Sequence, residues 1–187
     1  MIESAAIFLL IFLTVTLETA LGSAGLAVPV TACAVFYLSS ILGWRITVPI
    51  AAAVGLWLDL LFGRVWLASA MGMAAISLAC LLWPPGERAR PLGEFLLPGS
   101  LAGVVAILVP AGAHLLTGGF PGLGDLLHLV GQALVGGVTG ALLLPVLVPA
   151  LDWAGTAFGL PTCRPAGDAA RRRDLAPDSR ASGRAGR

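Results

Sequence analysis

The sequence predicts an all-α, polytopic membrane protein built as a six-helix transmembrane bundle. Three observations carry that prediction: 58% of the 187 residues are hydrophobic, only 11% are charged, and the mean hydropathy is +0.94. A soluble domain of this size carries about a quarter charged residues, which cover its surface in water. This chain lacks them, so its surroundings must be lipid.

A helix needs roughly 17 to 25 mostly apolar residues to cross a hydrocarbon core of about 30 Å. Six stretches meet that length: Ser4 to Leu21, Leu26 to Leu42, Ile46 to Phe62, Val65 to Trp83, Phe95 to Leu116 and Leu126 to Leu151. The first carries Glu3 in place of a basic leader, so it reads as a retained span and not a signal peptide. The second, with Pro29 early and Ser39 and Ser40 late, is the least apolar; without it the count falls to five. Links as short as Gly63 and Arg64 force the first four spans to run antiparallel to their neighbours. Pro110 in the fifth span and Pro145 and Pro149 in the sixth are expected to kink or locally open their helices.

Charge divides the chain into two domains, residues 1–155 and 156–187. The first holds four Arg and seven acids, the second seven Arg and three acids. The second is rich in Pro, Gly, Ser and Arg, and is expected to be a basic, disordered cytoplasmic tail. Its run Arg171, Arg172 and Arg173 reads first as a topology anchor, and second as a site for anionic lipid or an acidic partner. Short cytoplasmic loops carry an excess of basic residues. Six spans with both termini in the cytoplasm place Arg45, Arg88, Arg90 and the tail inside, and Arg64 alone outside.

Ala51, Gly55, Asp59 and Gly63 recur every four residues and so share one face of the third span. Small residues admit another backbone, within the chain or from a partner, and a carboxyl inside a membrane is a functional candidate. Asp59 lies near the end of its span, so it equally reads as a group that satisfies a neighbour near the membrane surface. In the predicted topology Glu18, Arg64, His114, Asp125 and His128 gather with it toward the outer surface, with Arg64 expected to pair with Asp59 or Glu18. Gly99 with Gly103, and Gly136 with Gly140, form G-x-x-x-G pairs expected to pack helices within the chain.

Other chemistry is thinly represented. Cys33, Cys80 and Cys163 are odd in number and widely spaced, which argues against a disulfide framework or zinc site. Asp125 and His128 stand one turn apart, yet two histidines with no thiolate nearby do not make a metal centre. No nucleophile elbow, metalloprotease motif or phosphate loop with Lys is present, so neither enzymatic activity nor a cofactor is expected. The chain has no basic, aromatic-interleaved surface for nucleic acid, and its surroundings are the bilayer.

The string VPIAAAVGLWLDLLFGRVWLASAMGMAAISLA, Val48 to Ala79, resembles the bacterial rod shape-determining protein MreD family, which shows a G-x-x-x-D-x-x-x-G segment followed by a small, apolar helix. Here that segment is Gly55, Asp59 and Gly63, with Leu67 to Ala79 after it. Glu18 stands where the family often has a polar residue, and Pro29 matches a family Pro opening the second helix. The acid that often follows that Pro is Val30 here. The resemblance covers roughly residues 1–83. It implies a non-enzymatic scaffold of the cell-wall elongation machinery in the inner membrane. Its implied partners are an MreC-like single-span protein, the MreB-like filament and peptidoglycan synthases. The family is also similar in fold to the substrate-binding subunits of energy-coupling-factor vitamin transporters. That makes such a subunit the alternative function, with the outward polar patch lining a small-molecule pocket.

Overall fold

The computed structural model of the protein describes residues 2–23, 28–63, 67–83, 92–118, 122–158 and 163. Among them there is no strand. Six helices follow one another: α1 (Ile2–Ser23), α2 (Val30–Leu42), α3 (Trp44–Leu61), α4 (Ala68–Ala79), α5 (Leu96–Gly118) and α6 (Leu123–Phe158). Short 3₁₀ turns follow α4 at Cys80–Leu82 and precede α5 at Leu92–Phe95.

Four of the six, within α1, α3, α5 and α6, are long and apolar enough to cross a membrane, so the chain is a multi-pass membrane protein. Among the described residues, α2 and α4 are shorter than the expected spans. With 13 and 12 residues, they rise about 20 Å and 18 Å, against a core of about 30 Å. The two differ in their surroundings, since α4 exposes Met71 and Leu78. α2 touches every other helix, and Val30 to Ser39 are buried without interruption. Its apolar run is that of a core helix inside the bundle. α6 lies at the other extreme, its 36 residues rising about 54 Å. It passes through Pro145 and Pro149 without losing helical assignment. It also runs to Phe158, three residues past the expected boundary of the membrane domain.

Packing follows the small residues. Between helices already in lipid no hydrophobic gain is available, and contact rests on close van der Waals approach. A Cβ on Gly99 would strike the Gly140 carbonyl oxygen, and one on Gly103 the Gly136 carbonyl oxygen. The two G-x-x-x-G pairs thus face each other across the antiparallel α5 and α6. Gly72 of α4 rests on Val109 of α5. The outward sides carry large apolar groups, such as Phe8, Leu9 and Leu13 on α1 and Leu134, Leu142 and Val146 on α6. They form the face a lipid-embedded protein shows to acyl chains.

Candidate functional site

Every helix begins with N–H groups that have no partner in the preceding turn, and inside a membrane each one left bare costs several kcal/mol. The acids of this chain meet that need. α4 starts from Leu67, a non-glycine residue at φ 51° in the left-handed region, which offers no capping side chain. Asp59 of α3, ten residues before Ser69, supplies the missing acceptor. Ser69 N donates to both carboxyl oxygens at 3.1 Å, and Ala70 N donates to Oδ2 at 3.3 Å. Asp59 is 3% exposed, so water does not compete for these bonds.

Gly55, one turn before Asp59, makes this reach possible. A Cβ there would collide with the Cα of Ala70 and the carbonyl oxygen of Ser69. Ala51 on the same face is 1% exposed. The small face at Ala51 and Gly55 is buried, and at Gly55 its neighbour is the backbone at the start of α4. Gly63 stands apart from that packing. It is exposed, at φ +60° with open space around its Cα, and serves the turn after α3.

The same device recurs at α2, whose Pro29 cap has no side-chain hydrogen bond. Thr31 N donates to Glu18 Oε2 of α1 at 2.7 Å. At α6, Gly122 N donates to Asp125 Oδ2 at 3.0 Å, the reciprocal half of a capping box. The ionisable residues expected near the outer surface are thereby distributed over helix starts. Glu18 serves α2, Asp59 serves α4 and Asp125 serves its own first turn. His128 lies 3.0 Å from Gln132 on the exposed side of α6, and His114 is exposed on α5. Arg64, the expected partner of Asp59 or Glu18, lies outside the described residues. So do Arg88, Arg90 and all the tail Arg residues.

Two polar clusters at the opposite end were not singled out from sequence. Ser77 Oγ of α4 donates to Thr47 Oγ1 of α3 at 3.0 Å, and Thr47 Oγ1 donates to Gly43 O at 2.9 Å. Ser39 Oγ of α2 stands 2.9 Å from Ser77 Oγ and 2.8 Å from Val35 O. All three hydroxyls are buried, tying α2, α3 and α4 together. In the second cluster, Tyr37 Oη donates to Asp152 Oδ1 at 2.7 Å, and Cys163 N donates to the same oxygen at 2.8 Å. Asp152 Oδ2 is buried without a partner. A signal did exist for these groups. Small hydroxyls within apolar runs concentrate at helix interfaces, and the single Tyr of the chain needs a partner for its hydroxyl once buried.

A cavity of about 60 Å³ lies between α2, α4 and α5, lined by Phe36, Ile76, Ala79, Leu101, Ala102 and their apolar neighbours. Trp83, with its indole N–H, also lines it. Among the described residues no cluster of three or more His, Cys, Asp or Glu could hold a metal ion, and all three cysteines are free thiols.

Fold and site together define a membrane-embedded, all-α bundle whose intramembrane acids accept hydrogen bonds from backbone N–H groups. No family model, curated protein or solved structure matches the chain.

Proposed function

We propose that this protein is a non-enzymatic scaffold of the cell-wall elongation machinery in the bacterial inner membrane, acting through helix-to-helix recognition of partner proteins. The observation that supports this reading is the segment from Gly55 to Ala79. Gly55 and Asp59, two of the residues through which the chain resembles the MreD family, join α3 to α4 by close approach and capping. A scaffold needs a stable, well-defined surface more than it needs reactive groups. Within the bundle, Glu18 and Asp59 accept hydrogen bonds from the backbone at the starts of α2 and α4.

In this proposal the six helices make six passes, with both termini in the cytoplasm. The Arg excess at Arg45, Arg88, Arg90 and the tail supports that orientation. With Ala51 and Gly55 engaged inside the chain, recognition falls to exposed groups. His114, Asp125 and His128 at the α5–α6 end are among the exposed polar residues. The partners would be an MreC-like single-span protein, the MreB-like filament and peptidoglycan synthases.

The test is depletion of the gene with microscopy of cell shape. Rods rounding up as the protein is lost is the expected outcome. Unchanged rods, or a growth defect relieved by a single vitamin, would overturn the proposal, the latter in favour of a transporter subunit.

A further inference from the structure

The cavity between α4 and α5 has a floor and a rim of different character. Phe36, Ile76, Pro98 and Ala102 form the floor and are all buried. The rim is open: Leu82 is 78% exposed and Leu101 45% exposed, with Ala75 exposed beside them. The opening follows from the length of α4. Its α-helical turns stop at Ala79, and a single 3₁₀ turn carries the chain to Leu82. α5 is nearly twice as long, and past the end of α4 the described residues leave Leu82 and Leu101 exposed at the mouth of the slot, with Trp83 beside them.

The choice of occupant follows from chemistry and size. Water needs two to four polar partners to enter a cavity, and among the lining side chains only Trp83 carries a polar group. A polar ligand fails for the same reason. A volume of about 60 Å³ holds about two water-sized groups at about 30 Å³ each. An α-helix about 10 Å across cannot enter, nor can a bulky ring system. The remaining candidate is an unbranched hydrocarbon chain from the surrounding medium, lying along α5 with its end between Ala79 and Ala102.

We infer that the slot between α4 and α5 is a lipid-binding site that takes one acyl chain of a membrane phospholipid. The chain fills the gap left where α4 stops and contacts Phe36 and Ile76 behind it. This inference rests on the membrane-embedded bundle alone and is independent of any role in cell-wall elongation.

The experiment uses the full chain in nanodiscs containing a phospholipid with a diazirine on one acyl chain. After irradiation, the labelled residues are located by mass spectrometry of peptides. Adducts on the floor residues Phe36, Ile76 or Ala102 are expected, besides those on the lipid-facing Phe8 and Leu9. Ala79→Phe fills the slot and should abolish floor labelling while labelling of Phe8 and Leu9 persists. Ala75→Leu, which narrows the mouth from the rim, serves if Ala79→Phe fails to fold. Labelling of Phe8 and Leu9 with none on the floor would overturn the site, as would floor labelling that survives in the filled variants. A floor labelled in nanodiscs yet protected in native membranes would assign the slot to a side chain of a partner protein, and would likewise overturn a lipid occupant.

Discussion

Replacing Gly55 with Ala adds one methyl group where α3 meets the start of α4. That methyl carbon would sit 2.5 Å from Ala70 N, whereas ordinary contact begins at 3.4 Å. The obstructing atoms are backbone, so no side chain can swing aside, and the shortfall of about 0.9 Å must come from parting the helices. The same displacement would stretch the Ser69 N to Asp59 bonds from 3.1 Å to about 4 Å, beyond hydrogen-bonding range. Overpacking costs about 1 to 3 kcal/mol, and a lost hydrogen bond to a charged group about 1.5 to 3 kcal/mol. Partial relaxation by tilting brings the expected loss to about 3 kcal/mol. Reversible unfolding in mixed micelles at rising SDS fraction, followed by circular dichroism, measures it. Asp59→Ala removes the same bonds, so the double variant should fall short of the sum of the singles by about 1 kcal/mol or more. A Gly55→Ala protein within about 0.5 kcal/mol of the parent, the range of an inconsequential surface change, would refute this account of the α3–α4 junction. So would strictly additive singles.

Gly103→Ala should likewise weaken the α5–α6 pair, by about 1 to 3 kcal/mol in the same unfolding assay, because its new methyl meets the Gly136 carbonyl oxygen. Glu18→Ala removes the acceptor for Thr31 N and should cost about 1 kcal/mol; hydrogen exchange at the Thr31 amide should quicken, and unchanged exchange would count against the cap. In the hydroxyl cluster, Ser77→Ala alone should cost about 1 kcal/mol by removing the link between Ser39 and Thr47, which keep their bonds to Val35 O and Gly43 O. The triple variant Ser39→Ala, Thr47→Val, Ser77→Ala should recover most of that loss, because apolar groups replace every partner together. Tyr37→Phe removes one of the two donors to Asp152 Oδ1 and should loosen the Cys163 segment. With Cys33 and Cys80 replaced by Ala, that loosening reads as faster maleimide labelling of Cys163.

The sequence located the helices well where composition alone decides them. Span three was expected at Ile46 to Phe62 and is found at Trp44–Leu61; span five was expected at Phe95 to Leu116 and is found at Leu96–Gly118. It did not tell α2 from the lipid-facing helices, because hydropathy reports how apolar a stretch is and not whether lipid or protein surrounds it. Val30 to Ser39 is as apolar as a lipid-facing span, yet buried on every side. Ala51, Gly55 and Asp59 lie on the buried face of α3, whereas Gly63, the fourth residue of that spacing, falls in the turn past its end. What that face meets depends on where the chain turns after Gly63, which spacing along a single helix does not determine. The partners of Glu18 and Asp152 were hidden for the same reason. Thr31 lies 13 residues from Glu18, and Tyr37 lies 115 residues from Asp152, so folding alone brings them together.

The capping of α4 by Asp59 also bears on how the chain enters the bilayer. A 12-residue helix that begins at a left-handed leucine would carry bare N–H groups into hydrocarbon if it were inserted alone, at several kcal/mol each. Asp59, inserted without α4, would bring a carboxyl with nothing to receive. Each segment holds the group that makes the other tolerable in lipid. The natural unit of insertion is therefore the hairpin from Trp44 to Ala79, released into the membrane as one piece.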